Sequence, residues 1–519
     1  MKELTFHRWF LPWVERWPDA VGYTDPAGSS TYGEHTERVF RLASALDTEL
    51  GVAPSDRVAV MGLNSRLFME LYHAAFLGGC VTNPLNLRFA PAELEYVLRD
   101  SGTRVVFVDA MFAGVIDQVR TAAGVDKVVL MGDAGDDTPF DLRYEDLLAS
   151  GEPVEPHEPE ESDPCLLMYT GGTTGMPKGV LCSQRAEMLN AWHIKFAIPM
   201  DHTQTLLCHL PMFHAACMGY VLNPQQGPAP THILPMFDPK LSTDTIAKHG
   251  VTSVTAVPTM LNMMFNHPEF EEKKLASLEY LIYGASPMPV ALLERLLEMY
   301  PELKFIQCYG MTEASVLLTS LTPEDHRRGG DRLLSAGRPV PGVRLRIEDE
   351  GGQVLPAGEV GEICAQGGNF MDGYWNKPEA TEEAFRGDWY HSGDAGYLDD
   401  EGYLYIVDRV KDMIVSGGEN VYSAEVENAI ATHPAVLQVA VIGIPSEKWG
   451  EAVHAIVVLR PDATATDEEL IAHAKTAIAG YKVPKSIEFR DELPLSGAGK
   501  VLKRDLKKPY WEGHGRGVG

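Results

Sequence analysis

The run Tyr169-Thr170-Gly171-Gly172-Thr173-Thr174-Gly175-Met176-Pro177-Lys178-Gly179-Val180 constrains this chain more than any other stretch. Glycines let backbone N–H groups crowd around an anion without interference from Cβ, while hydroxyls and a lysine ammonium supply further donors. The apolar Cys165-Leu166-Leu167-Met168-Tyr169 ahead of it reads as a buried strand that delivers a phosphate-handling loop. A flexible surface loop rich in small residues is the bland alternative. A Walker-type loop is excluded by spacing, because it needs lysine directly after glycine and then Ser or Thr, whereas Lys178 stands between Pro177 and Gly179.

The flanking sequence predicts the sheet such a loop requires. Residues 34–50 have apolar side chains at helical spacing, 57–61 read as a strand, 67–77 and 91–100 as helices, and 104–108 as the next strand. Strand, helix, strand is the grammar of a parallel sheet. Residues 83–86 predict a tight turn, and the acidic, proline-bearing stretch 151–164 a linker or exposed loop. Beyond the glycine run, 206–214 form an apolar strand ending at Phe213 and His214. Residues 251–257 are closed by Pro258 and Thr259, 280–283 run into Gly284-Ala285-Ser286, and 305–309 run into Gly310-Met311-Thr312-Glu313. Glycine turns at 351–352, 367–368 and 399–402 mark a small β-rich subdomain. After it, a glycine loop at 416–418, a helix capped by Ser423, strands at 436–443 and 453–459 and a helix at 467–479 predict a compact α/β unit.

Length and composition narrow the class. The 519 residues exceed one ordinary domain, and 45% hydrophobic with 23% charged content is globular. No stretch reaches transmembrane length, and the N-terminus lacks the apolar core of a signal peptide, so a cytoplasmic protein without integral membrane association is expected. Seven scattered cysteines without a CxxC pair predict reduced, mostly buried thiols rather than a disulfide framework or a zinc site. A net charge of −29 argues against nucleic acid or anionic lipid as a partner. Against it stands one basic cluster, Lys482, Lys485, Lys500, Lys503, Arg504, Lys507 and Lys508, whose simplest reading is a solvated basic face.

The remaining motifs have a common chemistry. In Tyr309-Gly310-Met311-Thr312-Glu313 an aromatic ring can stack on a base, a threonine can bond a phosphate, and a glutamate can hold Mg²⁺. Taken singly it is an ordinary strand-turn-helix start. Asp394, after His391-Ser392-Gly393, and Arg409 offer a carboxylate and a guanidinium that together suit a sugar's hydroxyls. Each could equally be one side of a hairpin ion pair. Lys500 is flanked by glycines in Ser496-Gly497-Ala498-Gly499-Lys500, so a mobile turn can project it into an anionic site.

In their order and spacing these motifs resemble the adenylate-forming superfamily of acyl-CoA synthetases, luciferases and nonribosomal peptide adenylation domains, over residues 20 to 508. The resemblance implies an α/β protein with a large N-terminal domain, 1–410, of parallel-rich sheets, helices and a small β-rich subdomain, and a small mobile α/β C-terminal domain, 411–519. It implies ATP, Mg²⁺ and CoA as reaction partners. Thr170, Gly171, Gly172, Thr173, Thr174, Gly175 and Lys178 would hold phosphates, and Gly284, Ala285, Ser286, Tyr309, Gly310 and Met311 the adenine. Asp394 and Arg409 would clamp the ribose, Thr312 the α-phosphate and Glu313 the metal. His214 would gate the carboxylate pocket, Lys500 would be the catalytic lysine, Lys411 the hinge, and Gly418 would line the CoA tunnel. Two departures stand out: Gly171 where the usual form has serine, and Ser423 where many relatives have proline.

The implied reaction is activation of a hydrophobic carboxylic acid, fatty or aryl, to an acyl-adenylate with loss of pyrophosphate, then acyl transfer to CoA. Two rivals remain. An amide-forming enzyme would pass the acyl group to an amine instead, and a non-catalytic homologue would only bind; Glu313 and Lys500 weigh against the second. No carrier-domain serine follows, which argues against a complete nonribosomal module, and homo-oligomer formation stays open.

Overall fold

The computed structural model describes residues 3–170, 176–199, 203–222, 229–409, 412–416, 419–497 and 499–512. The early alternation does build a parallel sheet. Val81–Pro84, Arg57–Met61, Val105–Asp109 and Lys127–Met131 lie side by side in parallel, linked by helices Arg66–Phe76, Pro91–Ser101 and Ala110–Ala123. Both faces of this sheet are covered, so its strands read as apolar runs: Val58 and Val60 join one core, Ala59 and Met61 the other.

On its far side Val81–Pro84 pairs with Pro164–Thr170, which returns at once as the antiparallel Lys178–Ser183, Thr170 opposite Lys178. The glycine-threonine run therefore joins two arms of a hairpin, and Gly373–Tyr374 adds an antiparallel strand beside the second arm. A second sheet has Val21–Asp25, Thr231–Ile233, Leu206–Cys208, Ser253–Ala256, Tyr280–Gly284 and Lys304–Tyr309 in parallel, with antiparallel strands beyond both ends. The largest core draws on both sheets, with Leu166, Leu207, Leu281 and Phe305 joined by Phe68, Tyr72 and Phe76 of one helix.

Two five-stranded sheets follow. Arg344–Glu348, Gly361–Gln366, Trp389–Leu398 and Leu404–Arg409 are antiparallel, and form the expected β-rich region. Ile414–Ser416, Val436–Ser446 and Gly450–Leu459, with helices Ser423–Ala431 and Asp467–Ala477, close around a separate core. The α/β class with parallel-rich sheets holds. No helix of the described residues is long and apolar enough to cross a membrane. The cysteines are free thiols, six of them buried and Cys308 half-buried.

Several local expectations are corrected. Residues 83–84 end a strand rather than open a turn, because Pro84 occupies the last ladder position, where its missing N–H costs little. The strand at 206 stops at Cys208. Pro211 cannot donate to a ladder, and the Asn64 amide serves in its place, donating to Leu210 O and Leu234 O and accepting the Met212 N–H at 2.8 Å. The 151–164 stretch is a loop, as expected, and is anchored near its end, where Glu161 accepts the backbone N–H groups of Glu3 and Leu4 and pairs with Arg185 at 2.7 Å. Ser423 is the first helical residue, not the cap; its N–H donates to Asp408 Oδ2 at 2.6 Å.

The basic cluster is only in part a solvated face: Lys485, Arg504 and Lys508 are exposed, but three other lysines are paired. Lys482 pairs with Glu425 at 2.7 Å, Lys507 with Asp412 at 3.0 Å, and Lys503 with Glu427 at 2.7 Å while donating to Ser423 Oγ. Removing one partner of a largely buried pair strands the other charge. Lys503→Met should therefore destabilise the C-terminal region by about 3 kcal/mol in denaturant titrations, and adding Glu427→Leu should recover most of that loss. A single substitution within a few tenths of a kcal/mol of the parent would contradict this account.

Candidate active site

Two parallel strand ends begin the site. Tyr280–Gly284 and Lys304–Tyr309 run in register with Gly284 opposite Cys308, so close that a Cβ on Gly284 would lie 2.1 Å from Cys308 O. At Gly310 an added Cβ would lie 1.7 Å from Val316 O, so glycine is required at both positions. The chain leaves these ends under strain: Ala285 has φ 67°, Ser315 φ 51° and Val316 φ 124°. Such backbone outliers persist where surrounding contacts over-determine them, and they cluster at functional sites. Ser286 and Met311 follow these turns and are partly exposed.

From the second strand Tyr309 reaches across to the β-rich sheet, and its hydroxyl donates to Asp394 Oδ2 at 2.8 Å. Asp394 and Arg409 are cross-strand partners, with Arg409 Nε 3.6 Å from Asp394 Oδ1. The Asp394 N–H is fixed by Ser392 Oγ at 3.1 Å. Thr312 and Glu313 occupy a single 3₁₀ turn. Glu313 Oε1 accepts from the Tyr374 hydroxyl at 2.9 Å, and the Lys178 ammonium lies 4.8 Å from the centre of the same Tyr374 ring. Tyr374 thus ties the hairpin arm to the acidic turn. The sequence reading missed it, although a Gly-Tyr-Trp string after a glycine turn was the available signal.

The turn carrying Lys500 docks against this assembly. Its ends form a bridge between Leu495 and Val501, and the Lys500 N–H donates to Ser496 Oγ at 3.1 Å. Thr259 Oγ1 donates to Gly499 O at 2.8 Å, Arg88 donates to Leu495 O, and Phe213 lies against Gly497. Lys500 then shares its surroundings with Arg409, Asp394 and Glu313. Its amine is lowered to about 8 by burial and by the Arg409 charge, which outweigh the two carboxylates. His214 is lowered to about 3, first by burial and then by Lys500. Its Nδ1 accepts the Ala216 N–H at 3.1 Å, which leaves the proton of the neutral ring on Nε2.

The structure thus brings together Lys178, His214, Tyr309, Glu313, Asp394, Arg409 and Lys500, with Thr170 at the hairpin arm. Gly171, Gly172, Thr173, Thr174, Gly175, Lys411 and Gly418 lie outside the described residues. Met212 and Met218, near His214, are packed in the main core, and Met236 is 62% exposed.

The chain is similar in sequence and fold to known proteins. Residues 10–375 match the AMP-binding enzyme family and residues 425–500 the AMP-binding enzyme C-terminal domain. A feruloyl-CoA synthase of Amycolatopsis sp is 39% identical over 496 residues, 95% of this chain and 96% of that protein. A long-chain-fatty-acid–CoA ligase of Mycobacterium tuberculosis is 37% identical over 495 residues, again 95% and 96%. Among solved structures, the anthranilate CoA ligase AuaEII in complex with anthranoyl-AMP superposes with a TM-score of 0.90 at 25% identity, covering 98% of this chain and 97% of that one.

The charge balance at Lys500 is open to direct test. Its amine should titrate near 8, followed by the pH dependence of its acylation with a small anhydride and peptide mass spectrometry. Arg409→Gln, which removes the repelling cation, should raise that value, and Asp394→Asn should lower it. An amine titrating as an ordinary surface lysine in all three proteins would show that the turn does not dock in solution.

Proposed function

The chain belongs to the AMP-binding enzyme family, and on that premise we propose how its residues divide the work. The protein is an AMP-forming acid–thiol ligase for a hydrophobic carboxylic acid. A carboxylate is a poor electrophile, so its oxygen first attacks the α-phosphorus of ATP. The bond to pyrophosphate breaks, and the acyl-adenylate so formed passes its acyl group to the CoA thiol with release of AMP.

The observation that carries the residue assignment is the meeting of Lys500 with Glu313, Asp394 and Arg409. A lysine held there can bond the carboxylate and phosphate oxygens as negative charge spreads over phosphorus, a contact that strengthens in the transition state. Asp394 and Arg409 take the ribose, Tyr309 the adenine face beside Gly284, Ala285 and Ser286, and Thr312 the α-phosphate. Thr170 through Gly175, with Lys178, hold the remaining phosphates. Neutral His214 gates the carboxylate pocket. Glu313 fits Mg²⁺: it is a hard oxygen donor whose Oε1 is oriented by Tyr374. When bound, that ion neutralises charge on the phosphate oxygens.

We place the division between domains at 410 and 411, with rotation about Lys411 withdrawing Lys500 and bringing Gly418 to the thiol's path. A separate core beyond residue 412 supports that reading. The acid is fatty or aryl, a range spanned by the names of the relatives, and the setting is cytoplasmic, where free thiols persist.

Pyrophosphate release measured over a panel of fatty and aryl acids, with CoA or with amines as acceptor, tests the activity. Turnover with hydrophobic acids and CoA is expected; turnover confined to amines would favour the amide-forming reading. Lys500→Ala should lose adenylation about 100-fold to 1000-fold, while transfer from supplied acyl-adenylate survives better. Near-normal ATP–pyrophosphate exchange in the folded mutant would remove Lys500 from this role. Lys411→Pro, which fixes φ and deletes a backbone donor, should leave acyl-adenylate formation in place and slow its passage to CoA. Equal single-turnover losses in both half-reactions would count against the hinge.

A further inference from the structure

The β-rich sheet holds a second group of donor side chains that the ligase reaction does not use. Glu348, Cys364 and His391 come from three adjacent antiparallel strands and are buried, with one potential ligand atom from each lying within 4.8 Å of the others. Cys364 is the direct cross-strand neighbour of His391, which brings thiol and imidazole to the same row. His391 Nε2 is 3.8 Å from Glu348 Oε2 and 3.9 Å from Cys364 Sγ. The other ring nitrogen, Nδ1, is 2.8 Å from Glu362 Oε2, and Glu362 Oε1 in turn accepts the Gly393 N–H at 3.1 Å.

From this geometry we propose a transition-metal site, for Zn²⁺ or an ion of similar ligand preference, made by Glu348, Cys364 and His391 Nε2. A tetrahedral zinc centre has bonds of about 2.0–2.3 Å to oxygen, nitrogen and sulfur, which puts its ligand atoms about 3.3–3.7 Å apart. The two separations from Nε2, 3.8 and 3.9 Å, exceed that by up to about half an ångström, and the Glu348 and Cys364 ligand atoms lie within 4.8 Å of each other. The Glu362–His391 contact supplies the carboxylate that orients a ligating imidazole and fixes its tautomer. Arg346, stacked on Trp389 at 4.0 Å, forms an ion pair with Glu348 and opposes a cation electrostatically. Arg346 is paired with Glu348 Oε1, however, whereas the oxygen nearest His391 Nε2 is Oε2. The donor set differs from the Mg²⁺ ligand proposed for Glu313, because a thiolate and an imidazole favour a softer ion than carboxylate oxygen does. Binding requires the Cys364 thiol to lose its proton to solvent, so affinity rises with pH.

The test is a titration of the folded, metal-free protein with Co²⁺, read through thiolate-to-cobalt charge transfer in the near ultraviolet. The band should saturate at one equivalent, be displaced by Zn²⁺ and be absent from Cys364→Ser. Glu362→Gln, which leaves all three ligands in place, should weaken binding about 10-fold to 100-fold. Circular dichroism establishes that each variant is folded, and His391→Gln serves as a second ligand deletion should Cys364→Ser unfold. A folded parent without the band, or a band that survives either ligand deletion, overturns the site.

Discussion

The arrangement turns on placing one lysine ammonium among groups of both signs. Lowering the Lys500 amine from its ordinary 10.5 to about 8 corresponds to about 3 kcal/mol against the charged form. A base with a depressed docked value binds fewer protons docked than free. Docking is therefore disfavoured below about pH 8, improves as pH rises from there toward 10.5, and is insensitive above. The contacts that oppose this cost at neutral pH are modest: Thr259 to Gly499, Asn262 to Leu437, Arg460 to Asn266 and Arg88 to Leu495. A polyphosphate beside Lys500 changes the sign of the local field and raises its pKa. Nucleotide binding and docking of the lysine turn are then coupled, and by linkage each favours the other equally.

That coupling needs a rigid counterpart, and the strand ends supply it through close backbone approach. Gly284 against Cys308 and Gly310 against Val316 leave no room for a side chain, so the following turns are forced tight. Positive φ at Ala285, Ser315 and Val316 costs on the order of 1–3 kcal/mol each. The 312–316 turn is held from outside its own segment: Asn369 Nδ2 donates to Ala314 O at 2.7 Å and Leu317 O at 3.1 Å, and the Met371 N–H donates to Glu313 O at 2.8 Å. With Tyr374 on its carboxylate, Glu313 is positioned by one continuous segment, 369–374, before any ligand arrives.

What the sequence discloses and what it hides divide along this line. Strand 57–61 and its neighbours were legible because burial on both faces writes an unbroken apolar run. Tyr309, Glu313, Asp394, Arg409 and Lys500 were legible because each sits in a short string with unusual chemistry. Tyr374, Asn369 and Asn64 were not, since their importance lies in which distant group they meet, and a single tyrosine or asparagine is compositionally ordinary. Asn64 is the clearest case. Its three hydrogen bonds lie just beyond the end of a distant strand at Cys208, where the apolar pattern alone continues to Phe213.

The basic run near the C-terminus shows how the fold sorts charges that the sequence groups together. Lys482, Lys503 and Lys507 find Glu425, Glu427 and Asp412 within the same unit, so their charges are spent on scaffold. Lys500 instead faces Asp394, on a strand of the β-rich sheet, and Glu313, in the 3₁₀ turn that follows Lys304–Tyr309. Lys503 and Lys507, its neighbours in sequence, are thereby kept from competing for the site's carboxylates. In a chain of net charge −29 this matters: the long-range field opposes an anionic substrate, but salt screens it over about 8–10 Å, and inside that distance the local cations decide. Pairing Lys482, Lys503 and Lys507 internally leaves Lys500 as a local cation beside the site's carboxylates in a strongly acidic protein.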